Sequence, residues 1–363
     1  MTLKTIENKI IQGADINIED LLFLLEIEDP LELAKMYTFA DALNTIVNHN
    51  VVSFVLNRNV NYTNICELRC AFCAYYCSDP TAMYTLTSDD VADRIQHLAI
   101  SEVCIQGGLN SAVSFNDVVA IVERIKSLRP DIHIHGFSPM EIYYYAQREN
   151  LSHENILQTL KQKGLGSLCG TAAEILDDNL RNQICPRKLS TDEWCAVIKC
   201  AHRLGIPSSA TILFGHIEEY AHIAQHFMII REIQKETKMF TEFIPLPFMP
   251  YKTSLGKKFA LDFIGLEKTK KIIACARIFF YRYIRNIQTS WVKLGLEGAL
   301  ECLCVGANDL GGTLYEENIT RSAGGTHGQF ISQERFVEEI CRIDKKPFVR
   351  DTVYSFQKEN ISV

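Results

Sequence analysis

A closed (β/α)8 barrel of TIM type is the α/β fold that this sequence predicts, on three observations. Eight short β-type runs, at 52–62, 102–106, 133–137, 167–172, 208–214, 241–246, 286–291 and 302–307, each lead into a helical segment. Alternation of this kind implies parallel strands joined by right-handed crossovers. The repeats extend over roughly 250 residues, the usual length of such a barrel. The competing architecture is an open or partial barrel with fewer paired strands. The predicted organisation is an N-terminal helical extension (1–50), the barrel (51–325), and a C-terminal helix and tail (326–363) that forms a cap.

The elements follow in order. After Asn17, a cap-type residue, an apolar stripe runs through Ile18, Leu21, Leu22, Leu24 and Leu25. Residues 31–47 keep helical spacing with strong helix formers. Beyond residue 50 the β-type runs begin. Amphipathic stretches at 118–128, 156–163, 192–204 and 221–237 lie between them. No internal repeat, low-complexity segment or linker interrupts the series.

Composition narrows the partners. The net charge is −7, with no basic stripe and no block of like charges, which argues against nucleic acid and acidic membranes. Residues 1–8 are polar, and no apolar run approaches a membrane span. A cytosolic protein is expected. The thirteen cysteines are odd in number and scattered. A reducing compartment argues against a disulfide framework, and several cysteines sit in apolar runs where a thiol packs like a small hydrophobe.

Three of them are different. Cys66, Cys70 and Cys73 form a C-x₃-C-x₂-C run with Phe72 just before the third. Three thiolates on one loop can hold three irons of a 4Fe–4S cluster and leave the fourth open. A structural zinc site would need a fourth ligand, which Cys77 could supply, and packed thiols are the third reading. The loop directly follows the first β-type run. In a barrel, chemistry sits at the C-terminal ends of the strands.

The other strand ends carry polar groups. Gln106-Gly107-Gly108 closes the second run, and two glycines let backbone approach a ligand, or simply make a tight turn. His133 and His135 share one face of the third. His133 reads as a core histidine; His135, nearer the rim, is a candidate for proton transfer. Glu174, after Gly170-Thr171-Ala172-Ala173, suits a ribose or a helix N-terminus. Gln288 and Ser290 end the seventh run. Asn308, Asp309 and Thr313 follow the eighth, and suit a polar heterocycle or a capped turn. His327 lies in a Gly-rich stretch that can close over a ligand.

With these residues in view, the chain resembles the radical S-adenosylmethionine (SAM) superfamily. The likeness extends from about residue 22 to 352. Within the superfamily it is similar to the branch holding the deazaflavin (FO) synthases and the futalosine-pathway enzymes of menaquinone biosynthesis. The stretches that carry this include 59–64, 132–141, 170–178, 184–191, 201–205 and 241–248. Stretches 286–295, 306–313 and 319–329 resemble the CofH subunit family of FO synthase. Cys77 and the aromatics beside it are additions that the pattern does not require.

The resemblance implies cofactors, substrates and site residues. Cys66, Cys70 and Cys73 hold the cluster, and SAM chelates its open iron. Phe72 lies near the adenine, while Gln106, Gly107, Gly108 and Glu174 contact SAM. Cleavage of SAM yields a 5′-deoxyadenosyl radical that takes a hydrogen from L-tyrosine. The Cα–Cβ bond breaks, releasing 2-iminoacetate, and the 4-hydroxybenzyl fragment adds to C5 of 5-amino-6-(D-ribitylamino)uracil. Tyr62 and His135 are candidates for proton transfer or tyrosine binding. Gln288, Ser290, Asn308, Asp309, Thr313 and His327 are candidates for the ribitylaminouracil. The chain carries one cysteine triplet, whereas FO synthesis uses two radical modules, so a second FO synthase subunit and an electron donor are implied. A futalosine-pathway enzyme and a non-catalytic iron–sulfur carrier or sensor are the alternatives.

Overall fold

Three helices precede the first strand in the computed structural model, which describes residues 1–356. They are Leu3–Ile11, Ile18–Leu25 and Pro30–Asn48. Asn17 and Asp20 form a capping box at the second, and Asp20, fully buried, takes Lys9 Nζ at 2.7 Å. Asp29 caps the third, with Pro30 in its first turn, where a missing N–H costs nothing. Arg231 on helix Tyr220–Thr237 donates to Ile16 O at 2.7 Å and stacks on the Phe279 ring, tying the extension to the barrel wall.

The strands are β1 Val51–Val55, β2 Asn57–Asn61, β3 Glu102–Gln106, β4 His133–Gly136, β5 Leu165–Ser167, β6 Ser208–Phe214, β7 Phe240–Pro247, β8 Asn286–Ile287, β9 Asp309–Gly312 and β10 Lys346–Arg350. Every pairing between them is parallel. They group as β10-β1-β9, β2-β3-β4-β5 and β6-β7-β8. Bridges Leu168↔Ser208 and Gln288↔Asp309 join the groups, and β1 runs into β2 through Leu56. The ring therefore closes as a TIM-type barrel, with β1 and β2 acting as one bent strand.

Several expected runs are redrawn. The run 52–62 divides at Leu56. The run 167–172 moves back to β5, and 286–291 shrinks to β8 because Trp291 already starts helix Trp291–Leu303. The expected strand at 302–307 is absent: Cys302 and Leu303 end that helix, and the strand is β9. A short apolar run does not distinguish a buried helix end from a buried strand.

The C-terminal segment holds helix Gln333–Arg342 and then β10; residues 357–363 of the expected tail lie outside the described residues. β10 pairs with β1 from Val51↔Lys346 to Val55↔Arg350. It fills the edge that β3, whose first partner is Asn57, leaves open. Arg350 then turns into the floor of the barrel. Its guanidinium lies 2.6 Å from Asp309 and 3.5 Å from Glu242, Tyr354 donates to Glu242, and Thr352 donates to Glu102 at 2.7 Å. All thirteen cysteines are free. Among the described residues no helix is long and apolar enough to cross a membrane.

Candidate active site

The cysteine loop leaves the C-terminal end of β2 and is stitched down on both flanks. Cys77 N donates to Asn64 O at 2.9 Å, and Asn64 Nδ2 to Ala82 O at 2.9 Å. Ala71 N donates to Ile184 O, and Ala71 O accepts from Leu255 N at 2.8 Å. Inside this frame Cys73 N donates to Cys70 O at 3.0 Å, and Tyr75 N to Cys73 Sγ at 3.4 Å. Cys66, Cys70 and Cys73 line one cavity of about 430 Å³ at the barrel mouth. Cys77 does not line it; its Sγ donates instead to Asp79 O at 3.3 Å.

Gly107 and Gly108 press the end of β3 against this loop. A Cβ on Gly107 would stand 2.5 Å from the Tyr62 ring, and one on Gly108 would stand 2.2 Å from Ile65 O and 2.9 Å from Cys66 Cβ. The glycines thus admit Tyr62 and the cysteine loop, and both also line the cavity. Behind them Glu141 ties three segments together. It accepts from Tyr62 Oη at 2.9 Å, Gly107 N at 3.1 Å, and Ser138 N and Oγ at 2.6 and 2.8 Å.

A second group lines the same cavity. Glu174 takes Lys188 Nζ on Oε1 at 2.7 Å, and Lys188 stands over the Phe72 ring at 5.2 Å. Burial lowers the Lys188 ammonium, but Glu174 outweighs it and leaves the lysine above its ordinary range. Glu174 Oε2 is buried with no hydrogen-bond partner, although Arg181 lies 3.9 Å away. An unsatisfied carboxylate oxygen calls for a donor, and a ribose hydroxyl supplies one. Burial pushes the Cys70 thiol up to about 12 and raises that of Cys73, with Lys188 pulling both down. A metal centre takes such groups as thiolates and displaces their protons. Among the described residues no three His, Cys, Asp or Glu side chains gather closely enough to enclose a single ion. A cubane cluster instead takes its thiolates at separate irons. Three thiols on one cavity wall, with an orphaned acceptor on the same cavity, fit a cluster together with SAM.

His135 also reaches the cavity. Its Nδ1 lies 2.7 Å from Ser167 Oγ, which also meets His133 Nε2 at 2.8 Å. Burial pushes His135 down to about 4, against the pull of Glu102, so the ring is neutral near pH 7. Gln106, Gln288 and Ser290 complete the expected residues on the wall. Gln106 Oε1 accepts from Thr171 Oγ1 at 3.0 Å.

Five expected residues lie elsewhere. Tyr62 is fully buried behind Gly107 and spends its hydroxyl on Glu141. Asn308 joins Arg277, Ile287 N and Asn286 within the wall. Asp309 is held by Arg350, Ser53 and Gly311 N. Thr313 Oγ1 exchanges bonds with Asn57 N and O at the seam between β2 and β9. His327 is exposed and faces Gly295 rather than the cavity. The first four are buried polar groups with partners supplied by protein, and none of the five lines the cavity.

Several cavity residues were not anticipated: Lys188, Lys293, Glu242, Arg350, Ser209 and Thr211. Lys188, Glu242 and Lys293 lie in the 184–191, 241–248 and 286–295 stretches that carried the family resemblance, which was the available signal. Arg350 had none, since it enters the barrel only through the pairing of β10.

Residues 60–229 match the radical SAM superfamily, and residues 237–363 the CofH/MqnC C-terminal region. A protein of Archaeoglobus fulgidus named 5-amino-6-(D-ribitylamino)uracil–L-tyrosine 4-hydroxyphenyl transferase is 43% identical over 343 residues, covering 93% of this chain and 98% of its own. A protein of the same name from Methanocaldococcus jannaschii is 44% identical, covering 90% and 93%. Among solved structures, methylornithine synthase superposes with a TM-score of 0.77 at 18% identity, covering 97% of this chain and 99% of its own. The [FeFe]-hydrogenase maturase HydG does so with 0.76 at 15%, covering 98% and 80%. At these identities the two structures establish a shared fold.

Proposed function

The chain belongs to the radical SAM superfamily and, within it, to the CofH family, and on that footing we propose that it joins the 4-hydroxybenzyl fragment of L-tyrosine to 5-amino-6-(D-ribitylamino)uracil. The products are the coupled adduct, 2-iminoacetate, methionine and 5′-deoxyadenosine, on the route to FO. The cofactors of its superfamily are a 4Fe–4S cluster and SAM, which together supply a carbon radical able to take a hydrogen atom. The observation that carries the proposal is that the cysteine triplet, Glu174 with its unpartnered Oε2, and His135 all line one largely apolar cavity.

The residues divide the work. Cys66, Cys70 and Cys73 hold the cluster. Gly107 and Gly108 present backbone to the methionine portion of SAM, with Gln106 alongside. Phe72 packs near the adenine, and the free oxygen of Glu174 accepts from the ribose while Lys188 fixes the carboxylate. His135, neutral and held by Ser167, accepts or returns a proton in the tyrosine step. Gln288 and Ser290 meet the substrates at the ends of the later strands. Tyr62 acts through Glu141 on the position of Gly107, and is a positioning residue. The enclosing barrel orients the reactants and excludes water.

Such an enzyme needs an electron donor and a second FO synthase module to complete FO. The cytosol, which keeps thiols reduced, is the matching compartment. The test is direct. Anaerobically reconstituted protein with SAM, dithionite, L-tyrosine and the diaminouracil should form the coupled adduct and 2-iminoacetate. Turnover of dehypoxanthine futalosine in place of this pair would overturn the proposal in favour of a menaquinone enzyme.

A further inference from the structure

Four cationic side chains line the cavity: Arg69, Lys188, Lys293 and Arg350. Lys188 is paired with Glu174, and Arg350 with Asp309. Arg69 is exposed on the cysteine loop. Lys293 is partly buried, faces the cavity, and has no carboxylate within ion-pairing distance among the described residues. An enclosed cation without a counter-ion is costly, and proteins keep such groups paired.

The local backbone explains how it arises. Helix Trp291–Leu303 is broken at Gly295 (φ 74°, ψ 165°), so its first turn is set apart from the rest. Ser290, Val292 and Lys293 from this turn all reach the cavity. Ser290 stands at the helix start, yet its hydroxyl makes no capping bond. The carboxylate that bears on its charge is Glu317, which lines the same cavity but stands outside ion-pairing distance and accepts from Thr320 N on both oxygens at 3.0 Å. Burial pushes the Lys293 ammonium down to about 8, with Glu317 acting the other way, so it remains largely charged at neutral pH. One turn thus presents an ammonium and a hydroxyl with no acceptor supplied by protein.

The missing partner is an anion that arrives with substrate. The ribitylaminouracil is neutral, and the SAM carboxylate belongs with the cluster at the cysteine loop. L-Tyrosine brings one carboxylate. We propose that Lys293, assisted by the Ser290 hydroxyl, binds the α-carboxylate of L-tyrosine and so sets where its Cα–Cβ bond lies; this rests on the tyrosine-cleaving function proposed above.

The test uses reconstituted holoenzyme with SAM and no reductant. Binding of L-tyrosine and of tyramine, which lacks the carboxylate, is measured by calorimetry for wild type, K293M and K293R. Loss of a buried charge pair predicts L-tyrosine binding weaker by about 30-fold or more in K293M, with tyramine changed by less than about threefold. K293R should recover most of the tyrosine affinity, and the calorimetric affinity of K293M for the diaminouracil should stay level. Methionine keeps the volume and removes an unpaired charge, so the iron content and melting temperature of K293M should be undiminished; K293Q repeats the measurement should K293M fail to load iron. L-Tyrosine binding within threefold of wild type in the variant, or an equal loss for tyramine, overturns the assignment. Wild type that forms adduct while K293M binds tyrosine normally sinks Lys293 alone. Wild type that neither binds L-tyrosine nor forms adduct sinks the function and, with it, this role.

Discussion

Replacing Tyr62 by Phe separates a positioning role from a chemical one. Phenylalanine keeps the ring and its edge contact with Phe137, 6.3 Å between centroids, so no cavity opens. What is lost is the bond to Glu141 at 2.9 Å. Glu141 Oε1 then keeps only Gly107 N, while Oε2 keeps its two donors from Ser138. Burial already raises Glu141, and the Tyr62 hydroxyl holds it down, so the variant shifts it further upward. A buried hydrogen bond to a charged acceptor contributes about 1.5–3 kcal/mol. At about 2.1 cal/mol/K of unfolding entropy per residue, that is a fall of about 2–4 °C in the melting midpoint of a chain this long. Because Gly107 loses part of its anchor, KM for SAM should rise a few-fold while kcat holds. The assay pairs a thermal melt with anaerobic turnover at saturating SAM. A general acid or base contributes about 10²–10⁴ in rate. A kcat lowered by that much, with an unchanged melting midpoint, would refute the positioning argument and return Tyr62 to the chemistry.

Two further outcomes follow from packing and titration. Gly108→Ala sets a Cβ against Ile65 O and Cys66, and the backbone has to yield at a typical overpacking cost of about 1–3 kcal/mol; iron per chain after reconstitution should drop, and a full load would show that the loop tolerates the push. His202, bonded through its two ring nitrogens to Thr237 Oγ1 and Ser208 Oγ, is pushed down by burial to about 4. Its unfolded pKa is near 6.5, so its contribution is complete above that pH and is lost as pH falls from 6.5 toward 4, up to about 3 kcal/mol. In urea melts across that window His202→Gln should be less stable at pH 7.5 but show a shallower decline; identical slopes would contradict the sign. His135 and His226 are shifted the same way and remain in both proteins.

The cysteine loop and β3 were legible because their signals are local: a fixed thiol spacing, and a short run closed by paired glycines. Glu174 and His135 were legible for the same reason, at the ends of recognisable runs. Asn308, Asp309 and Thr313 misled. Residue type marked them as ligand-binding, and a strand expected at 302–307 would have placed them at its upper end. With β9 at Asp309–Gly312 they sit in or beside the strand and hold the barrel seam. Lys293 was hidden because its meaning depends on what does not face it. That depends on the break at Gly295 and on where Glu317 directs its oxygens, neither of which has a one-dimensional signature.

The strand that closes the bottom of the barrel also sets an order of assembly. β1 is bonded on one side to β9 and on the other to β10, so both of its edges wait for strands more than 250 residues downstream. About 300 residues separate Val51 from Lys346, and at about 5–20 residues per second the first strand spends roughly 15–60 s without its neighbours during synthesis. Over that interval an apolar strand with two open edges is a target for aggregation. Arg350, whose partner Asp309 lies on β9, reaches the floor only when this wait ends, so the cavity gains its floor only after β10 has paired with β1.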